Sequence, residues 1–386
     1  MNLDLVLPER DLDAAHAAFA RSIRAFALRE LEPHARRIDE ESLFRREMVT
    51  AMASEGIVGG PVAKEYGGSG WTALQLAIAH EEIGAVCGNA RGFLAVQTGL
   101  VAQCIEKFGS AAQRAKFVPS LVSGAVIGCF GLTEDDAGSD VAALQCRAQP
   151  VAGGYSIRGA KIWITNGPVA DFAIVFATID PAQGKDGITA FLLELGQPGV
   201  RREPMPGKEL GHRGSGHARL VFDDARVPAD LVLGGLGKGF AVAMGGLHGG
   251  RLSVAAGAVG ILRAALVASL AFTGTRKQFG KPIAAFQMVQ ERIADMAVDL
   301  HSARGLVHRC ARLRDAGTEH TMDLALAKLH ATEAAGRAAE QAVLLHGGRG
   351  YTSAYPAERL LRDSFGLRIY EGTSLIQKTI IARALG

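Results

Sequence analysis

The chain lacks the features that mark several large classes of protein. It carries little net charge: 42 Lys and Arg against 39 Asp and Glu leave +3, too small a surplus to imply a nucleic-acid or membrane-surface partner. Its 5 cysteines are scattered and never spaced as C-x-x-C, which argues against a disulfide framework or a zinc site and fits a reducing cytoplasm. No metal site is expected. Asp4 and Glu9 stand where a secretory signal would need a basic start and an apolar run, so none is read. The most apolar stretch, Leu252 to Phe272, contains Arg263 and much Gly and Ala, and reads as a buried helix, not a membrane span. There is no G-x-x-x-x-G-K-[ST], no H-E-x-x-H, and no strand followed by G-x-G-x-x-G. Nucleotide binding by a P-loop or Rossmann unit is therefore unsupported, and any cofactor is held differently.

What is present divides into three regions, as expected for 386 residues, more than one hydrophobic core usually supports. Residues 1–123 are helical in pattern, with Ala-rich runs broken by the turn-forming Tyr66-Gly67-Gly68-Ser69-Gly70. Residues 124–235 change to short β-rich runs between Gly, Pro and Asp turns: Val126 to Phe130, Tyr155 to Thr165, Phe172 to Thr178, Ile188 to Leu195 and Ala218 to Phe222. A small sheet or barrel is expected there. Past the glycine-rich segment Gly234 to Gly239, residues 236–386 return to helical periodicity. Apolar stripes at alternating spacings of three and four run from Phe240 to Ala264, from Phe286 to Cys310, and from Met322 to Val343. With the shorter segment after Gly372 they suffice for a four-helix bundle. The fold class is α+β, in the order helical, β, helical.

Three segments carry more chemistry than a fold alone needs. Cys129 to Asp140 is a strand running into a polar loop of small residues, able to bring N–H groups and hydroxyls against an electron-rich ring or a carbonyl. Taken alone, it also reads as an acidic surface turn. Lys161-Ile162-Trp163-Ile164-Thr165-Asn166-Gly167 is an apolar strand ending in a polar turn, and its Trp alone is better read as core. In Ile369-Tyr370-Glu371-Gly372-Thr373-Ser374 an acid near a helix start serves either as a general base or as a partner of the helix dipole.

In this order and spacing the three segments resemble the acyl-CoA dehydrogenase family. Further matches are Thr275 to Gly280, His346 to Tyr351, and Tyr355 to Asp363, so the resemblance covers nearly the whole chain. It implies FAD as cofactor. By resemblance, Phe130, Leu132, Thr133, Gly138 and Ser139 line the flavin ring with Trp163, Ile164 and Thr165, and Thr373 adds a further flavin contact. Arg276, Gln278, Phe279, Gln287, Gly347 and Gly348 match positions that hold the pyrophosphate and adenosine of a neighbouring subunit's FAD, which implies a homo-oligomer, a tetramer or dimer. Glu371 matches the catalytic base, while Ser139, His248, Arg251, Tyr370 and Gly372 match substrate contacts. The implied reaction is α,β-dehydrogenation of an acyl thioester: Glu371 removes the α-proton, the β-hydride passes to flavin N5, and electrons leave to an electron-transfer flavoprotein.

The chain departs from the family pattern at Leu344 and Leu375, where Gln is common, and at His248, where many members have Asp before the Arg. Imidazole donates as well as accepts, whereas a carboxylate only accepts. The acyl carrier is therefore left open between CoA and a carrier protein. Two rival readings are a flavin monooxygenase on the same fold, which needs no α-proton base, and a non-catalytic helical scaffold.

Overall fold

The computed structural model describes residues 3–386. Its first region holds helices α1 (Ala14–Phe26), α2 (Glu32–Glu41), α3 (Arg46–Ser54), α4 (Ala73–Val86), α5 (Gly88–Leu94), α6 (Gln103–Phe108) and α7 (Ala111–Val122). Thr72 with Gln75 and Ser110 with Gln113 form capping boxes that start α4 and α7. Between α5 and α6 the backbone widens into a π-helical turn, Ala95–Ala102, a local strain often found at functional sites.

The middle region is one sheet of β1 (Gly128–Gly131), β2 (Arg147–Val151), β3 (Gly154–Thr165), β4 (Phe172–Thr178), β5 (Ile188–Glu194), β6 (Val200–Pro204), β7 (His217–Pro228) and β8 (Val232–Leu233). The order is β6-β7-β3-β2-β4-β5-β8, with β1 parallel to β4. Three of these strands, β2, β6 and β8, have no counterpart in the apolar runs of the sequence. β6, Val-Arg-Arg-Glu-Pro, is an edge strand with its charges in water, as edge strands commonly are. β7 also runs on past Phe222: Asp223 stays in register with Arg158, and a register shift between Ile157 and Arg158 absorbs Asp224. Asp224 then pairs with Arg158 and accepts from Ser156.

The last region contains α8 (Gly239–Thr275), a hairpin of β9 (Lys277–Gln278) and β10 (Lys281–Pro282), then α9 (Gln287–Asp315), α10 (Thr321–His346), α11 (Ala357–Leu367) and α12 (Ser374–Leu385). α8 packs on α9, α10 and α4, and α12 packs on α10. α11, which the sequence stripes do not isolate, packs on both α8 and α10. By length and composition α8 could cross a membrane, yet its apolar residues are mostly buried inside the protein. Two hydrophobic cores result, and neither follows the three regions. One joins the N-terminal helices to the sheet and reaches Val242 and Ala243 of α8, while the other joins Leu74, Ala77 and Ile78 of α4 to the bundle. A buried ion network seals the second: Glu82 accepts from Arg24 and Arg263, and Glu81 from Arg304.

Candidate active site

The sheet side of the site is set by a buried ion pair. Lys161 of β3 lies 2.6 Å from Glu134 and also donates to the Leu132 carbonyl, while Glu134 accepts the N–H groups of Gln145 and Cys146. The loop after β1 is thus tied down by an internal counter-ion, and its Glu134 is not a surface acid. Beyond Lys161 the β3–β7 register shifts, and Trp163 and Asn166 take left-handed backbone at φ 56° and 65°. Trp163 is not core, as the isolated sequence segment suggested, but 52% exposed.

The other side is the turn between α11 and α12. Buried Lys328 of α10 donates to the carbonyls of Tyr370 (2.9 Å) and Gly372 (2.6 Å), and Gln377 donates to Gly372. This clamp holds Glu371 at φ 54°, a conformation that non-glycine residues seldom keep without such support. Thr373 uses its hydroxyl to cap α12 at the Ile376 N–H. Across from the turn, α8 contributes Gly250: a Cβ there would lie 1.8 Å from Glu371 Oε2. Only glycine leaves room for the carboxylate.

The two sides meet at a cavity of about 130 Å³. Phe130, Leu132, Thr133, Trp163, Ile164 and Thr165 line it from the sheet, and Tyr370 and Glu371 from the turn. Ala95, Val96 and Leu100 of the π-helical turn and Leu247 of α8 give it an apolar stretch. Arg91 of α5 and His212 complete it; Arg91 donates to the Tyr370 hydroxyl, which lies 3.4 Å from His212 Nε2. Glu371 Oε2 is buried and has no partner. Burial pushes the Glu371 carboxyl up to about 7, against the opposing pull of Lys328, Arg91 and Arg251. Burial also drives Lys328 down to about 8 and the Tyr370 hydroxyl up to about 12.

Other residues singled out in the sequence lie elsewhere. Gly138 and Ser139 are exposed on the loop, outside the cavity. His248 does not face it either; its Nε2 sits 2.8 Å from Glu319, in a separate groove with Arg314. Arg251 is buried near enough to act on Glu371, and its Nε has no partner. Arg276, Gln278, Phe279, Gln287, Gly347 and Gly348 are all exposed. The sequence motifs missed Arg91, His212, Gly250 and Lys328. For Arg91 and Lys328 a signal existed: each is a cation in a helical apolar run with no acid three or four residues away on either side.

Three domain models of one family match the chain in succession: the acyl-CoA dehydrogenase N-terminal domain over residues 13–125, the middle domain over 129–225 and the C-terminal domain over 237–386. The chain belongs to the acyl-CoA dehydrogenase family. It is 43% identical to the short-chain specific acyl-CoA dehydrogenase of Clostridium acetobutylicum, over 93% of this chain and 95% of that protein. The butyryl-CoA dehydrogenase structure from Megasphaera elsdenii superposes with a TM-score of 0.93 at 38% identity, covering 97% of this chain and 98% of that one. A chain solved in work on the electron transferring flavoprotein of Acidaminococcus fermentans gives a TM-score of 0.94 at 37% identity, covering 97% and 98%. The protein is accordingly an oxidoreductase of the acyl-CoA dehydrogenase type, a flavoprotein family, acting on an acyl thioester.

The residues present fit the family's FAD. The half-exposed Trp163 indole stands at the cavity, and the Thr133 and Thr165 side chains make no hydrogen bond to any described residue, leaving both free for ring heteroatoms. Outside the cavity, Arg276 likewise has no side-chain partner among the described residues. Its planar fork suits a pyrophosphate.

Proposed function

We propose that the cavity receives the acyl part of a coenzyme A thioester and that Glu371 removes its α-proton. The observation that carries this is a carboxylate with one buried, unpartnered oxygen at the cavity wall and a pKa of about 7, matched to proton transfer near neutral pH. FAD, when bound, supplies the hydride acceptor. The chain's own part is to place the base, exclude water and polarise the thioester. Lys328 fixes the turn through two carbonyls, and the Glu371 N–H, which makes no hydrogen bond to any described residue, is free to donate to the developing enolate oxygen. Apolar Ala95, Val96 and Leu100 keep water from the reacting carbons.

Replacing Glu371 with Gln keeps the shape of the side chain and removes the base. The variant should retain FAD and fold while losing anaerobic flavin reduction by butyryl-CoA about 10²- to 10⁴-fold. A rate within about threefold of wild type would refute the assignment, since even a modest general base contributes more.

The same reading includes a homo-oligomer, a tetramer or dimer, that shares FAD between subunits, and an electron-transfer flavoprotein as acceptor. In support of the first, Arg276, Gln278 and Phe279 stand exposed on the β9–β10 hairpin, with apolar Met288, Tyr351 and Leu375 also open to water. In support of the second stands the likeness to the chain from the flavoprotein work. The reading also places the protein in the cytoplasm, on the pattern of its cysteines.

A further inference from the structure

We propose that Glu333 is a positioning residue for proton abstraction, holding both ends of the turn that presents Glu371. This rests on the assignment of Glu371 as the base. Glu333 stands on α10 one turn beyond Lys328 and lines no part of the cavity. Its two carboxylate oxygens divide between the flanks of the turn: Oε1 accepts from the Ser374 hydroxyl at 2.6 Å, and Oε2 lies 3.5 Å from Arg368 Nε. Arg368 precedes Glu371 by three residues and Ser374 follows it by three, so one side chain spans the segment. The backbone closes the same span, with the Ser374 N–H donating to the Arg368 carbonyl at 3.1 Å.

Lys328 alone does not fix the turn. It grips the middle, at the carbonyls of Tyr370 and Gly372, but an ammonium on a flexible stem is a point contact about which the turn can still swing. Glu371 at φ 54° and Gly372 at φ 88° both stand in left-handed backbone, a strain that persists only where the surroundings over-determine it. Contacts at the two ends remove the swing. α10 is shaped to receive Arg368, whose guanidinium also donates to the Thr332 and Glu333 carbonyls at 3.5 and 3.4 Å and lies across Gly336, where a Cβ would overlap it. Glu333 supports the central anchor as well: burial lowers the Lys328 pKa, and Glu333, with Glu371, opposes the fall. The fold has little need of this arrangement. Thr373 caps α12 without Glu333, and an ion pair whose side chains are 27% and 35% exposed adds little to stability. The reaction has more at stake, because a displacement of about 1 Å can cost about 10²-fold in rate.

The test measures anaerobic flavin reduction by butyryl-CoA in FAD-loaded protein, with affinity for the same thioester read by titration in a Glu371→Gln background. Glu333→Ala should slow reduction at least about tenfold while the dissociation constant stays within about threefold, since the pitch of the turn matters to the transferring proton and not to binding. Glu333→Gln keeps an oxygen for Ser374 and loses the charge facing Arg368, so its rate should fall between wild type and Glu333→Ala. Ser374→Ala should cost less than Glu333→Ala and add almost nothing on top of it. A second readout isolates the proton. A butyryl-CoA analogue with sulfur in place of the β-carbon can pass its α-proton to Glu371 but has no β-hydride to give, and its carbanion against oxidised flavin produces a long-wavelength charge-transfer band. Glu333→Ala should weaken that band at saturating analogue. A Glu333→Ala rate within about threefold of wild type overturns the proposal. So do rate and affinity that fall alike with Glu333→Gln no better than Glu333→Ala, the mark of a residue that only supports the fold. The two readings fail separately: a band lost in Glu371→Gln but intact in Glu333→Ala leaves the base and removes the positioning role. A band that survives Glu371→Gln removes the base itself.

Discussion

A base that takes a proton from carbon works best when its pKa lies close to the working pH, and Glu371 reaches about 7 by two opposed effects. Burial raises it, and Lys328, then Arg91 and Arg251, restrain the rise. Flavin reduction by substrate should therefore accelerate as pH rises through about 7, because only the ionised carboxylate accepts the proton. Lys328→Met removes the strongest restraint, so the midpoint of that profile should move to higher pH, and a profile that stays in place or moves down contradicts the electrostatic account. Stopped-flow reduction at a series of pH values reads both. Glu371 itself was legible in the sequence, since its motif is local and contiguous. The residues that tune it were legible only as unpaired cations in apolar runs, because Arg91 and Lys328 reach the site from helices remote in sequence, and nothing in a linear motif couples them to it.

Among the elements, α8 shows how a single glycine can serve chemistry against stability. Alanine is favoured over glycine inside a helix by about 1 kcal/mol, and the three atoms nearest a Cβ at Gly250 all belong to the Glu371 carboxylate. Gly250→Ala should hold or raise the urea midpoint while sharply slowing flavin reduction, as the carboxylate is pushed from its place. A variant that reduces its flavin at the wild-type rate shows that the carboxylate has another productive position. The long stripes of α8, α9 and α10 were readable because each buries one face over many turns. β2, β6 and α11 were not. β2 and β6 are five-residue strands held by neighbouring strands more than by their own pattern, and α11, though Ala357, Leu360, Ser364 and Leu367 form a buried stripe on it, spans only 11 residues. Trp163 was misjudged for a related reason: composition favours a buried indole, but the register shift in β3 turns this one outward.

At the scale of the whole molecule, the sequence regions and the hydrophobic cores do not coincide. α4 belongs in sequence to the first region but in packing to both cores, with Ala79 and Ile83 in the one and Leu74, Ala77 and Ile78 in the bundle, so the three regions should unfold together and not as separable domains. The exposed Phe279, Met288, Tyr351 and Leu375 lead to a prediction about assembly. Met288→Glu or Phe279→Asp should shift the mass seen by light scattering toward the monomer and loosen FAD in the same dilution series. A stable monomer holding one FAD per chain would contradict the shared cofactor site.

The bond between Arg91 and Tyr370 spans 279 residues of chain, and that separation is also an interval of time. At the usual pace of synthesis, 5 to 20 residues per second, α5 leaves the ribosome roughly 14 to 56 s before the turn that carries Tyr370 and Glu371. Throughout that wait the first helices and the sheet can pair and pack, but the Arg91 guanidinium has only water to bind. The cavity wall therefore dries last. A chain halted short of residue 371 would have the wall without the carboxylate, so no nascent form of the protein can begin the reaction early.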